Sequence, residues 1–152
     1  MKAEQLKHDL VITRIFDAPR TALWKAWTEA NRLARWWGPQ GFTNPVCKLD
    51  VRTGGEIRID MRAPDGTVYP MTGIYREIVE PDHIVFTSYA LDATGKPMFE
   101  VLNTVTFAEQ GGKTTQTVKV LVVSKTALAE RYLAGMEAGW AQSLVRLDAL
   151  LR

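Results

Sequence analysis

Apolar and polar positions alternate along this chain with a period that changes three times. His8–Phe16 (HDLVITRIF) is rich in β-branched residues and predicts a strand. From Phe16 to Pro39 the spacing turns helical. Trp24 and Trp27 fall three apart on one face, Pro19 suits a first helical turn, and Asp17 is placed to help cap it. Thr28 is placed to cap a second short helix, which Gly38-Pro39 stops.

Period two then takes over. Cys47, Leu49 and Val51 oppose Lys48, Asp50 and Arg52, and Ile57, Ile59 and Met61 alternate with Glu56, Arg58, Asp60 and Arg62. Turn residues at Gly54-Gly55, Asp65-Gly66, Pro81-Asp82, Thr94-Gly95 and Gly111-Gly112 separate these from strands near Met71–Val79, Ile84–Leu91, Met98–Phe107 and Thr114–Val123. Successive hairpins of this kind form an antiparallel meander.

Lys125–Leu151 returns to helical spacing. Leu128, Tyr132, Met136, Trp140, Leu147 and Leu151 make one broad apolar face. At 1.5 Å per residue the helix spans about 40 Å, so it must lie across the sheet. Gly135 and Gly139 sit inside it at about 1 kcal/mol each relative to alanine, which leaves room beside the sheet or permits close backbone approach. The fold predicted is α+β of helix-grip type. A curved antiparallel sheet of six to seven strands wraps around a long C-terminal helix, with two short helices after the first strand. The whole chain, 1–152, reads as one domain with about seven flexible N-terminal residues.

Composition narrows the function classes. The chain has 152 residues, 46% hydrophobic and 24% charged, which is ordinary for a globular protein. A net charge of +2, with signs interleaved as in DVRTGGEIRIDMR, argues against nucleic acid as a partner. No apolar run approaches membrane-spanning length and the N-terminus has no signal-peptide pattern, so no membrane partner and a cytoplasmic location are expected. Cys47 is the only cysteine, so no internal disulfide forms, which fits a reducing compartment. A homodimer is compatible with the size, but no seam is identifiable.

The segments APRTALWKAWT and LARWWGP resemble the N-terminal signature of the bacterial proteins named for homology to activators of heat-shock protein 90 ATPase. These belong to the START-like, SRPBCC superfamily. The resemblance continues through Asp50–Thr87, through VTF and GGKTTQT, and through Gly139-Trp140 and Leu144–Leu150, and so covers Leu10–Leu151. It implies a helix-grip fold with a hydrophobic pocket between the sheet and the last helix. It says less about function, because that superfamily includes lipid and hormone binders, polyketide cyclases and aromatases, and chaperone-associated domains.

Chemistry-bearing residues are few. His8 starts the first strand and His83 lies in the Glu80–His83 turn, both typical exposed positions. One cysteine and two distant histidines give no metal-ligand spacing, and no phosphate-loop, dinucleotide or nucleophile-elbow motif occurs. No metal and no cofactor are expected. Cys47 reads as an inert thiol. Glu77 shares one face of its strand with Gly73 and Tyr75, while Ile74, Arg76 and Ile78 share the other. If the tyrosine faces inward, Glu77 is a buried acid with a raised pKa and a candidate general base; a solvent-side or ion-paired glutamate is the commoner alternative.

Asn103 interrupts the apolar face of Phe99, Val101, Val105 and Phe107, and Ser143 lies between Met136, Trp140 and Leu147. Each must find a partner when buried, either a neighbouring main chain or a ligand. With the pocket that the resemblance implies, Trp36, Trp37, Met61, Tyr75, Tyr89, Phe99, Val101, Asn103, Met136, Trp140 and Ser143 are its candidate lining. The partner expected is a small hydrophobic or amphipathic molecule, bound without catalysis. The alternatives are a cofactor-free cyclase- or hydrolase-type enzyme using Glu77, Tyr75 and Asn103, and a chaperone-associated interaction domain. The last is disfavoured because the signature starts almost at residue 10, leaving no room for the N-terminal domain of the eukaryotic activators.

Overall fold

A computed structural model describes residues 9–92, 94–123 and 127–152. His8, Lys125 and the N-terminal residues expected to be flexible lie outside the described residues, as do the side chains of Leu128 and Tyr132.

Strand β1 (Leu10–Phe16) is followed by helices α1 (Arg20–Thr28) and α2 (Ala30–Trp36). Six strands then follow: β2 (Thr43–Leu49), β3 (Glu56–Arg62), β4 (Val68–Val79), β5 (His83–Leu91), β6 (Pro97–Gln110) and β7 (Lys113–Val122). Helix α3 (Ala127–Leu151) closes the chain. The seven strands form one antiparallel sheet in the order β1-β7-β6-β5-β4-β3-β2. The meander is thus continuous from β2 to β7, and β1 closes it by pairing with β7, Leu10 opposite Val120 and Phe16 opposite Thr114. This is the curved sheet and long helix expected of a helix-grip fold.

The inner face of the sheet carries the core. Ile57 and Ile59 on β3, Met71 and Tyr75 on β4, and Ile84 and Phe86 on β5 are buried. So are Val105 and Phe107 on β6 and Val118 and Val120 on β7. Period-two patterning places them all on one side. Gly73 is required within β4, because a Cβ there would collide with the Thr87 carbonyl on β5.

The helix caps differ from the sequence expectation. Pro19, not an Asp17 side chain, occupies the N-cap of α1, and no side chain caps that helix. Glu29 is the N-cap of α2. Thr28 turns its hydroxyl back to donate to the Trp24 carbonyl at 2.7 Å, the local bond a threonine makes at the end of a helix.

The helices bring the tryptophans together. Trp27 lies 4.7 Å from Trp36 edge to face and stacks with Trp140 of α3 at 6.0 Å, while Trp37 meets Trp140 edge-on at 5.5 Å. Trp24 packs separately on Phe107 at 6.0 Å. Aromatic pairs in such geometry add ~0.5–1.5 kcal/mol each beyond the area they bury. Trp36 is fully buried and its indole N–H donates to the Ala26 carbonyl at 3.0 Å; Trp27 donates to Gln116 Oε1 at 2.9 Å. The cluster fixes α1, α2 and α3 against the wall of the sheet. Among the described residues no helix is long and apolar enough to cross a membrane.

Candidate functional site

A cavity of about 720 Å³ lies between α3 and the inner face of β3 to β6. Helix α3 supplies one wall through Arg131, Gly135, Met136, Gly139, Trp140 and Ser143, which recur at helical spacing along one face. Both glycines keep that wall low. A Cβ at Gly135 would meet nothing within 4 Å, and at Gly139 only Pro39 Cγ at 3.9 Å. The sheet supplies Met61, Met71, Ala90, Phe99 and Val101, so the lining is mostly apolar.

Polar groups stand at its two ends. In the middle of the sheet Asn103, 3% exposed, donates through Nδ2 to the Phe86 carbonyl at 3.4 Å and to Ser88 Oγ at 3.0 Å. Ser143, 6% exposed, faces the same region from α3. At the other end, beside the β5–β6 hairpin, Tyr69 and Arg131 are exposed.

The loop between α2 and β2 forms a third wall through Trp37, Gly38, Pro39 and Phe42. Gly38 has φ +95°, a left-handed conformation that ends α2 at the cost only glycine avoids. Arg146 of α3 holds the loop in place. Its Nη1 donates to the carbonyls of Trp37, Gly38 and Pro39 at 3.0, 2.9 and 3.0 Å, and its Nη2 to those of Arg35 and Phe42 at 3.0 and 3.1 Å. Asn44 adds bonds to Ala34 and Trp37 carbonyls at 2.9 and 2.8 Å. Partial burial lowers the Arg146 pKa, yet the guanidinium remains the strongest donor set in the region.

Of the residues expected at the site, Trp37, Met61, Phe99, Val101, Asn103, Met136, Trp140 and Ser143 line this cavity. Trp36 does not. It is buried behind Trp37 in the aromatic cluster. Tyr75 points inward but borders a separate void of about 10 Å³, beyond Trp37 and Met71. Its burial pushes the hydroxyl pKa up. Tyr89 lies opposite Thr72 and Glu100, one residue out of phase with Ser88 and Ala90, and so turns to the other face of the sheet.

Glu77 is also absent from the cavity, for a specific reason. A β-bulge between Tyr75 and Glu77 inserts one residue against β5, so that Tyr75 opposes Phe86 and Glu77 opposes Val85. The period-two reading that put both on one face fails at this bulge. Glu77 is exposed and its Oε2 lies 2.6 Å from His83 Nε2, while Asp82 Oδ2 is 2.9 Å from Nδ1. The hydrogen bond to Asp82, then that to Glu77, raises the His83 pKa. The arrangement of Glu77, Tyr75 and Asn103 considered for an enzyme is not assembled.

Several lining residues escaped the sequence reading. Ser88 carried a signal, since it alternates with Phe86 and Ala90 on an inward face. The loop residues Gly38, Pro39 and Phe42 carried none, because a tertiary clamp by Arg146 sets their position. Among the described residues no cluster of His, Cys, Asp and Glu could hold a metal ion.

The sequence model of the family described as Activator of Hsp90 ATPase homolog 1-like protein matches residues 17–152. The chain belongs to this family. Solved structures of bacterial proteins have the same fold. One from Mycobacterium smegmatis is 30% identical, with 96% of this chain and 94% of that one covered and a TM-score of 0.82. A solution structure from Arthrobacter aurescens is 27% identical, with coverage of 93% and 84% and a TM-score of 0.84. A crystal structure from Chromobacterium violaceum is 27% identical, with coverage of 93% and 95% and a TM-score of 0.78. A search of the curated proteins finds no match.

Proposed function

We propose that this family member binds a small hydrophobic or amphipathic molecule in the cavity between the sheet and α3. The observation that carries the reading is a cavity of about 720 Å³ whose mostly apolar wall is interrupted by a few polar side chains. That size is within the ~300–1,000 Å³ of small-molecule sites, and the mix of many apolar and few orienting polar groups is their usual composition. The family's helix-grip fold supports it further. The binding residues proposed are Trp37, Met61, Phe99, Val101, Asn103, Met136, Trp140 and Ser143. Binding of this kind requires no metal or cofactor, and a reducing, cytoplasmic setting in which Cys47 stays a thiol belongs to the same reading.

Gly135 adds weight. Glycine inside a helix costs about 1 kcal/mol relative to alanine, and here a methyl group would fit without contact. Stability alone favours alanine; open volume beside α3 favours glycine.

The test is thermal unfolding against a panel of fatty acids, sterols, flavonoids and aromatic polyketides. A ligand at about 100 times its Kd adds roughly 2.7 kcal/mol, or about 5–10 °C for a chain of this length. A shift confined to one chemical class supports the reading, and a flat panel counts against it.

A further inference from the structure

The polar groups of the cavity differ in chemistry from one end to the other, and this difference specifies a ligand. Its inner end holds Asn103, Ser88 and Ser143, all neutral. Both hydrogen bonds of the Asn103 side chain leave from Nδ2, which fixes the amide orientation and leaves Oδ1 to accept. Arg146, three residues beyond Ser143 on α3, has its guanidinium turned to five main-chain carbonyls of the end of α2 and the loop after it. An anion there would find no uncommitted counter-charge and would be costly to desolvate. A hydroxyl or N–H would find an acceptor already oriented.

The outer end is the opposite. Arg131 is exposed, lines the cavity, and has no carboxylate partner among the ion pairs of the described residues. It lies near the start of α3, where the chain has just left the sheet with Val123 N–H bonded to the Glu100 carbonyl. Ser143, which also lines the cavity, is twelve residues further along α3, an axial separation of ~18 Å. Between the two ends the wall is apolar: Gly135, Met136, Gly139, Met98 and Phe99.

We propose that the ligand is an elongated organic acid carrying a neutral hydrogen-bond donor at its far end, a hydroxy acid in the simplest case. The donor docks on Asn103 Oδ1 beside the Ser88 and Ser143 hydroxyls, the apolar body lies along α3, and the acid meets Arg131. This rests on the binding reading above and narrows it to one class and one orientation.

The experiment is displacement of Nile red, a neutral apolar dye, from the folded protein by 12-hydroxydodecanoate, dodecanoate and 1-dodecanol. The hydroxy acid is expected to bind about tenfold more tightly than dodecanoate, as one buried hydrogen bond would give. Asn103→Leu should erase that preference. Ser88→Ala, which releases the Asn103 amide without burying new bulk, should weaken it and serves if Asn103→Leu fails to fold. Arg131→Gln should weaken both acids about fivefold and leave the alcohol unchanged. Equal binding of the two acids by the wild type, or acid affinity unaltered in Arg131→Gln, overturns the proposal while Nile red binding keeps the cavity reading intact. Failure of Nile red and every probe to bind the wild type overturns both.

Discussion

Arg146, on the last helix, donates a 3.0 Å hydrogen bond to the carbonyl of Trp37, whose side chain forms a wall of the cavity. Four more bonds from the same guanidinium reach Arg35, Gly38, Pro39 and Phe42. One planar cation thereby ties the end of α2 and the following loop to α3. A guanidinium suits this task because its donors fan out in a fixed plane, whereas an ammonium presents a single point.

Arg146→Met should therefore destabilise the protein by about 2–4 kcal/mol, less than five separate bonds would suggest because the group is partly hydrated. The melting temperature should fall by roughly 5–15 °C. Arg146→Lys should recover less than half of the loss despite keeping the charge. Thermal unfolding of the two variants beside the wild type is the check. Full recovery by lysine would show that charge, not the donor fan, holds the loop.

How much of this was legible beforehand depends on the range of the interaction. The meander could be read because each strand carries its own period and each turn its own glycine, proline or aspartate. Seven of the lining residues could be placed because they sit on regular faces: Met61 lies on β3, Phe99, Val101 and Asn103 alternate along β6, and Met136, Trp140 and Ser143 follow one face of α3. Glu77 is exposed and paired with His83, the commoner of the two readings given for it, but it does not share the face of Tyr75, because a bulge shifts strand phase by one residue and nothing in GIYREIV marks it. Phe42 and Gly38 were missed because Arg146, more than a hundred residues away in sequence, decides where their loop lies.

Gly135→Ala should raise stability by about 0.5–1 kcal/mol, since the methyl meets nothing within 4 Å and alanine is the better helix former. The melting temperature should rise by roughly 1–4 °C. A decrease would mean that the helix or its neighbours cannot accept even a methyl group at that position.

His83 should titrate above its ordinary 6.5, held protonated first by Asp82 and then by Glu77. A raised folded-state pKa stabilises below pH 6.5 and the contribution is lost as the pH rises through the folded value. The stability difference between wild type and His83→Gln should accordingly be largest on the acid side and vanish in mild alkali. Following the His83 ring protons by NMR in wild type, Asp82→Asn and Glu77→Gln should show the midpoint falling in each variant, more in the first.

Cys47 should be unreactive in the folded protein. Burial pushes its thiol pKa up to about 11, so the thiolate is scarce near neutrality. A disulfide reagent at pH 8 should label it slowly under native conditions and rapidly in denaturant. Fast native labelling would show that β2 opens readily from the sheet.

The measurement that tests the central claim most directly is titration of wild type and Gly135→Phe with Nile red, each first shown to be folded by its melting curve. Gly135 lines the cavity with open space beside it, so a benzyl group placed there should occupy the ligand's volume while the fold is kept. The account predicts one saturable site in the wild type, with quenching of the tryptophan emission to which Trp37 and Trp140 contribute, and loss of that site in the variant. Equal binding by both proteins, or none by the wild type, would contradict it.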